Sequence, residues 1–460
     1  MGAGRGRLRF RPPSGSLHRA RLPVLREAPL SPWHRAPPAA GRPRPAAWAA
    51  YRQVLSIRTY PVLVVGRLVD WLSVEVTALA GVWLVLQRGR SAEAVGVLLL
   101  VRGLVRAAGA LVAGPILDRV DRRTVLVGTC ALRAGILALL GTLASGDAVS
   151  LPGIYALLGA DALLAAFTLL GPEMLAAAYV GPERLTTANA LLDLASQMAT
   201  LTGPAAGGLL ASGLGAPRTL EVAGALLMAG AIIFLRLPPS PAHARAADSG
   251  GGRHLIAGIA YLAGHRGLRS LTALTFAYNF AYGPLEVALP VLVRDVLGSG
   301  PRALGALWSA FAAGWMAGGL LCGAIRWEGR SWAGLAASPL LWGILTVALP
   351  WAGGISPAAA MMASGGVVFA PYPILALTAR QRATPDHLRG RVFSAYAAVV
   401  ALGVPLGAAL GGWMVSRAGV AGGVVGASAL SVLLGVAAWR WPALRDLDAA
   451  DGKSKPPPGG

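Results

Sequence analysis

The sequence predicts an all-α integral membrane protein with twelve transmembrane helices, and three observations support this fold class. Of its 460 residues, 55% are hydrophobic and only 13% are charged, whereas a soluble protein carries about 25% charge. The apolar residues fall in runs of about 20 or more, enough to cross the ~30 Å hydrocarbon core as helices. Lysine and arginine concentrate in alternate connections between the runs, as expected for a polytopic protein.

Twelve apolar runs follow one another with short polar connections. Their predicted boundaries are 60–86, 91–117, 124–145, 151–177, 187–212, 217–236, 268–293, 302–325, 331–350, 354–379, 391–416 and 420–439. The runs divide into two groups of six, within residues 59–236 and 268–440. The sequence therefore predicts two six-helix bundles.

The segments outside these bundles are polar. Residues 1–58 contain twelve arginines, many prolines and a single acid, a composition that predicts a disordered basic tail. Residues 237–267 contain prolines and a run of glycines, which indicates a linker. Residues 441–460 form a polar C-terminal tail.

The distribution of cations predicts the orientation in the membrane. With both termini inside, the cytosolic connections and tails hold most of the lysines and arginines, and only six arginines face outwards. The arginine-, alanine- and glycine-rich composition favours a bacterial inner membrane. The net charge of +21 would suit a nucleic-acid-binding protein, but cations in short loops beside apolar runs set topology instead. No nucleic-acid partner is predicted.

The sequence lacks the residues that several functional classes require. Cys130 and Cys322 lie in apolar runs without metal-ligand spacing, and all six histidines lie in loops or tails. No P-loop, HExxH or GxSxG motif occurs. We therefore expect no metal, no cofactor and no enzyme activity. A membrane sensor or scaffold would need a substantial soluble domain, and the loops are too short for one.

The two bundles are related by an internal repeat. Ala94-Val95-Gly96 matches Ala303-Leu304-Gly305, and Glu75-Val76 in the preceding run matches Glu286-Val287. Gly203, Gly207 and Gly208 match Gly407, Gly411 and Gly412 at nearly the same spacing. Repeated halves that meet at a central site are typical of transporters that work by alternating access.

The loop after the second run carries the first family resemblance. Residues 114–123 read Gly-Pro-Ile-Leu-Asp-Arg-Val-Asp-Arg-Arg, which resembles the G-x-x-x-D-R-x-G-R-R loop of the major facilitator superfamily, with Asp121 in place of glycine. The resemblance implies a gating loop made of Gly114, Asp118, Arg119, Arg122 and Arg123. An acid at this position can hold a helix terminus or an arginine in one state and release it in the other. The alternative is a solvated turn whose charges only set topology.

The fifth run carries a second resemblance. Gly203, Pro204, Gly207 and Gly208 resemble the end of the antiporter motif in the exporter branch of that superfamily; the alternative is a generic glycine-proline kink. The fourth run lacks the arginine of an R-x-x-x-G pattern that many proton-coupled members have. The chain from about 60 to 440 is most similar to the twelve-helix drug:proton antiporters, which include macrolide and enterobactin exporters.

Five acids lie well inside the apolar runs, away from their ends, where a charge costs about 2.5–3.5 kcal/mol and usually faces an interior cavity. The superfamily resemblance places runs 1, 4, 7 and 10 around that cavity. It therefore favours as proton-coupling residues Glu286 and Glu75, then Asp161 and Asp70; the fifth acid, Asp193, lies nearer the cytosol. Glu75 and Glu286 are repeat-related, so we expect them to face each other at similar depth.

Structural pairing is the alternative role for these acids. Arg67 and Asp70 are three residues apart on one helix face and could pair. The other intramembrane cations, Arg102, Arg106 and Arg133, could neutralise the remaining carboxylates.

Polar and aromatic residues of runs 7 and 10 could contact a lipophilic substrate. They are Tyr278, Asn279, Tyr282 and Tyr372. The alternative is that these side chains only pack between helices.

These observations predict a monomeric secondary transporter in the lipid bilayer. Its predicted activity is proton-coupled efflux of small amphiphilic compounds such as drugs, siderophores or secondary metabolites. An importer or an anion or metabolite carrier of the same fold is the alternative, because intramembrane arginines could hold a carboxylate or phosphate.

Overall fold

The computed structural model describes residues 1–2, 47–89, 91–239, 251–327, 329–385 and 388–449. Residues 1–47 and 48–460 form separate units, and the described helices long and apolar enough to cross a membrane belong to the second. Parts of the sequence predictions lie outside the described residues: most of the N-terminal tail, 240–250 of the linker, Arg90, and 450–460 of the C-terminal tail.

Almost all of the described chain is helical, and short turns connect the helices. The helices are α1 Ala47–Leu55, α2 Tyr60–Gly89, α3 Ala92–Arg119, α4 Arg122–Ser145, α5 Leu151–Tyr179, α6 Leu185–Leu214, α7 Ala216–Phe234, α8 Gly251–Gly264, α9 Arg266–Val291, α10 Pro301–Ala324, α11 Ser331–Thr346, α12 Ile355–Phe369, α13 Pro371–Ala383, α14 Arg389–Val400, α15 Gly403–Trp439 and α16 Pro442–Ala449.

Two stretches of the described chain bear on the number of membrane crossings. Ten stretches of the described residues are long and apolar enough to cross. One of them, Arg389–Trp439, has 51 residues, about 75 Å as a helix and more than twice the hydrocarbon core. It turns at Gly419, whose φ of 71° glycine adopts without steric cost, and so it accounts for two crossings. Helix α6, 30 residues long, accounts for another. The all-helical membrane fold is confirmed, and the helices are consistent with twelve crossings.

The helix boundaries in the structure differ from the predicted ones where a proline ends a helix or where a short segment becomes buried. The predicted run 354–379 is divided into α12 and α13 at Pro371, because proline lacks an N–H and disfavours a helical residue before it. Helices α1 and α16 lie within the predicted tails, and α8 lies within the predicted linker. Val54 of α1 and Leu444 of α16 are fully buried, so packing folds short segments whose average composition is polar.

The two halves repeat the same helix pairings. In the first half α2 packs against α6 and α7, α3 against α5, and α4 against α7. In the second half α9 packs against α15, α10 against α12, and α11 against α15. Helix α15 turns at Gly419, so its two parts together make the contacts that α6 and α7 make in the first half. The pairings of the two halves therefore correspond, as expected for a repeat.

The halves touch each other through α3 and α15 and through α6 and α10. A Cβ on Gly96 would lie 3.1 Å from the Cα of Gly412, and a Cβ on Gly208 would lie 3.2 Å from the Cα of Gly305. All four glycines lie toward one end of the bundle, which we call the Arg294 end because the Arg294 guanidinium there donates to the Leu86 carbonyl at 3.0 Å. The opposite end carries the α3–α4 loop, and we call it the Asp118 end.

Candidate functional site

A cavity of about 230 Å³ lies between the two halves. Helices α2, α3 and α6 of the first half and α9 and α10 of the second line it. Its walls are mostly apolar, and two carboxylates face it. The lining residues are Glu75, Ala78, Leu79, Val82, Leu99, Thr200, Pro204, Tyr282, Glu286, Pro290, Leu304, Trp308, Phe311, Ala312 and Trp315.

The repeat-related carboxylates Glu75 and Glu286 come together in this cavity from opposite halves. The Thr200 hydroxyl donates a hydrogen bond to Glu75 Oε1 at 3.0 Å, and the Trp71 indole donates to Thr200 Oγ1 at 2.9 Å. A Cβ on Gly203 would collide with the Glu75 side chain, so the glycine leaves room for this carboxylate. Each carboxylate can thus exchange a proton or meet a cationic group in a largely apolar space.

An aromatic wall closes the cavity on the second half. The ring of Tyr282 lies 6.4 Å from Trp308, and Phe311 lies 6.0 Å from Trp308 and 5.9 Å from Trp315. Tyr282 was predicted from the sequence, whereas Trp308, Phe311 and Trp315 were not. Their spacing of three and four residues places them on one face of a helix, and this spacing was the signal that could have identified them.

Three other selected residues lie outside the cavity lining. Tyr278 is 1% exposed and packs on the Tyr372 ring at 4.8 Å between centroids. The Tyr372 hydroxyl is hydrogen-bonded to Thr275 at 2.9 Å, and the Asn279 amide donates to the Val400 carbonyl at 3.1 Å. These contacts connect helices within the second half, which is the packing role stated as the alternative.

Asp70 and Asp161 form a buried ionic triad with Arg133. Arg133 Nη1 lies 2.7 Å from Asp70 Oδ1, and its Nε lies 2.8 Å from Asp161 Oδ1. The side chains of the three residues are at most 3% exposed. Three helices, α2, α4 and α5, are joined in this way. Both acids therefore have a structural partner, which separates them from the pair in the cavity.

The pair between Arg67 and Asp70, which the structural alternative allowed, does not form; Asp70 is paired with Arg133. Arg67 instead donates from Nε to Ser196 Oγ at 2.8 Å and from Nη1 to the Thr168 carbonyl at 3.0 Å, and it lies 3.5 Å from Glu173. A buried charge needs partners that replace its hydration, and Arg133 reaches Asp70 from a neighbouring helix. Spacing along one helix could not reveal that partner.

Asp193 lies outside the cavity lining. Its side chain is exposed on the surface of the helix bundle. It lies on α6 near Glu173, with which it interacts electrostatically. Asp193 therefore lies apart from the carboxylates Glu75 and Glu286 of the cavity.

The charged residues of the predicted gating loop interact mainly with residues of their own half. Asp118 lies 3.9 Å from Arg122, which also donates to the Met174 carbonyl at 3.3 Å, while Arg119 is exposed. Arg123 donates to the Leu235 carbonyl at 2.6 Å. A Cβ on Gly114 would meet nothing within 4 Å.

Asp121, the departure from the family loop, caps α4. Its carboxylate accepts from the Thr124 N–H at 3.0 Å and from the Thr124 hydroxyl at 2.7 Å.

Replacing Asp121 with alanine should destabilise the protein by about 1 kcal/mol, since an N-cap is lost. Replacing Asp118 with asparagine should change stability less and slow transport more. Thermal unfolding in detergent and transport rates of both variants test this contrast, and equal unfolding midpoints would contradict it.

The predicted antiporter motif lies where the halves meet. The Pro204 carbonyl occupies the space next to Gly305, and a Cβ on Gly208 would lie 2.6 Å from the Pro301 carbonyl. The Ala205 N–H donates to Ser309 Oγ across the interface at 3.2 Å. Gly207 faces its own half, since a Cβ there would lie 3.2 Å from the Cα of Val76. The motif therefore allows α6 and α10 to approach closely at the Arg294 end.

Residues 63–328 match the family model described as Major Facilitator Superfamily. The chain belongs to this superfamily. It is a multi-pass membrane transporter and not an enzyme, as the sequence predicted. Superfamily members move small-molecule substrates across membranes.

Two relatives and one solved structure extend this assignment. The chain is 28% identical over 395 residues to the multidrug efflux pump Tap of Mycobacterium tuberculosis, covering 82% of this chain and 91% of that protein. It is 27% identical over 278 residues to the MFS-type transporter y4rN of Sinorhizobium fredii, covering 59% of this chain and 66% of that protein. A bacterial homologue of the human lysosomal transporter Spinster, solved inward-facing and unoccupied, shares the fold with a TM-score of 0.65 at 14% identity, covering 89% of this chain and 99% of that one.

Proposed function

We propose that this transporter exports small amphiphilic compounds, such as drugs, siderophores or secondary metabolites, in exchange for protons. One observation carries the proposal: Glu75 and Glu286, from opposite halves, line a single aromatic-walled cavity. The membrane runs contain no histidine or lysine, so a coupling proton must be bound by a carboxylate. The similarity to a protein named a multidrug efflux pump supports export.

Exchange follows from competition for the two carboxylates. A protonated carboxyl is compatible with an apolar cavity, whereas an arriving cationic group favours the ionised form. A cationic substrate that approaches Glu75 and Glu286 therefore displaces the proton. The aromatic wall offers its ring faces to the apolar body of the same substrate.

The contacts between halves suggest how the site changes access. The halves approach closely at the Arg294 end, where Gly96 faces Gly412 and Gly208 faces Gly305. We place the Asp118 end and both termini in the cytosol of a bacterial cell, with the protein a monomer in the plasma membrane. The conformation is then closed to the outside, and Asp118 acts as a gate when the cytosolic ends close.

Proton release on substrate addition tests the coupling. The purified protein is reconstituted in liposomes, and lipophilic cations, macrolides and anionic chelators are added one at a time. We expect proton release with cations, and we expect Glu286→Gln or Glu75→Gln to reduce it to background because a neutral amide cannot bind and release the proton. Glu183→Gln, which changes an exposed loop carboxylate, is the matched control and should behave like the unmodified protein.

The opposite results identify other transport modes. If labelled substrate crosses without proton release for every compound, the protein is a facilitator or an anion carrier. If release persists in both glutamine variants, the proton is bound elsewhere.

A further inference from the structure

Most of the ionisable side chains inside the bundle have a direct partner, but two arginines do not. Arg133 is paired within the buried triad, and Arg67 has hydrogen bonds and a nearby carboxylate. Arg102 and Arg106 form no hydrogen bond or ion pair within the described part of the chain. Among the carboxylates that face the same interior, Glu75 and Glu286 also have no ion pair there.

The two arginines lie on the face of α3 that adjoins the cavity. Leu99 lines the cavity, and Arg102 and Arg106 follow it by three and seven residues, a spacing that keeps all three on one helix face. The guanidinium of Arg106 lies 5.9 Å from the centre of the Trp71 ring. Trp71 belongs to the hydrogen-bonded chain that reaches Glu75 through Thr200.

Arg102 is the more unusual of the two. Its Nε atom is buried and has no hydrogen-bond partner. Asp161, Glu286 and Glu75 interact with it electrostatically without direct contact, Asp161 most strongly. Of these three carboxylates, Asp161 is already paired with Arg133. A buried donor without a partner costs free energy that a bound ligand can recover. The guanidinium fork matches a carboxylate or phosphate group.

We propose that Arg102, assisted by Arg106, forms an anion-binding subsite beside the Glu75–Glu286 pair, so that the preferred substrates are zwitterionic aromatic compounds. This inference rests on the proposed function and specifies its substrate class. A compound with only a cationic group leaves Arg102 without a partner, and one with only an anionic group meets the carboxylates. A zwitterion places its amine at the glutamates, its acidic group at Arg102 and its ring against Trp308.

Three matched probes separate these possibilities. A quinolone with a piperazine amine and a ring carboxylate is the zwitterion, its methyl ester carries only the cation, and its N-acetyl derivative carries only the anion. Equilibrium binding of each labelled probe is measured with the protein in nanodiscs. We expect the zwitterion to bind about tenfold or more tightly than either derivative, as expected for one added charge-assisted hydrogen bond.

Substitution of Arg102 assigns that preference to the subsite. Arg102→Gln should weaken zwitterion binding to the level of the methyl ester and leave the ester unchanged, and Arg102→Lys should restore part of the preference. Arg417→Gln, which removes an exposed arginine, should change nothing. Equal binding of zwitterion and ester, or an equal loss for all three probes in Arg102→Gln, would overturn the subsite.

Proton release measured with the same probes distinguishes this inference from the proposed function. Release with the ester but no preference for the zwitterion rejects the subsite and leaves antiport standing. A preference for the zwitterion that Arg102→Gln removes, without proton release for any probe, rejects antiport and leaves the subsite standing.

Discussion

Replacing Gly208 with leucine is expected to abolish transport while both halves remain folded. A Cβ at this position would lie 2.6 Å from the Pro301 carbonyl and 3.2 Å from the Cα of Gly305. These neighbours are backbone atoms of the other half, which cannot rotate away as a flexible side chain can. The added side chain therefore prevents the halves from closing at the Arg294 end and removes one of the two states that alternating access requires.

Cysteine labelling can detect the predicted opening. With Cys130 and Cys322 replaced by alanine, a cysteine at position 309 reports on the α6–α10 interface, because Ser309 accepts the Ala205 N–H across it. Gly208→Leu should increase its labelling from the Arg294 side. Gly213→Leu is the matched control, since a Cβ on Gly213 of the same helix meets nothing within 4 Å. Normal transport by Gly208→Leu would show that close approach at this glycine is not required.

The second large effect is expected at Arg133. Changing it to glutamine leaves Asp70 and Asp161 as buried carboxylates without a cation, which should cost about 3–5 kcal/mol of stability. Thermal unfolding in detergent and the yield of monodisperse protein measure this loss. Arg218→Gln, at an exposed position, should leave the unfolding midpoint unchanged.

A compensating variant separates charge from shape in the triad. Adding Asp70→Asn and Asp161→Asn to Arg133→Gln removes both uncompensated charges, and we expect much of the lost stability to return. If the triple variant is as unstable as Arg133→Gln alone, the cost comes from packing and not from unpaired carboxylates. If proton release survives in the triple variant, the triad has no part in coupling.

Local sequence patterns were sufficient to predict the features whose physical cause is itself local. Run length predicted the membrane helices because the bilayer requires a minimum apolar length and internal backbone hydrogen bonding. The boundaries were less accurate at Pro371 and at Ala401–Leu402, where helices break inside predicted runs. Repeat position predicted that Glu75 and Glu286 would occupy corresponding places, and the structure places both in one cavity.

Contacts between helices decided the remaining assignments. Asp70 and Asp161 had the same sequence feature as Glu75, since each is an acid in an apolar run. In the structure, however, both are paired with Arg133. Tyr278 had the same features as Tyr282, yet it packs inside the second half. These distinctions depend on which helix faces which neighbour, and no spacing within one helix contains that information.

The membrane class and the approximate position of each helix could be predicted from the sequence, because the bilayer acts on each helix separately. The repeat and the superfamily motifs are patterns of the sequence itself. The packing of the helices was needed to show which carboxylates are paired and which aromatic residues form the cavity wall. It was also needed to show that the buried Nε of Arg102 has no hydrogen-bond partner. The reason is that the burial and pairing of a charge depend on atoms brought together from several helices.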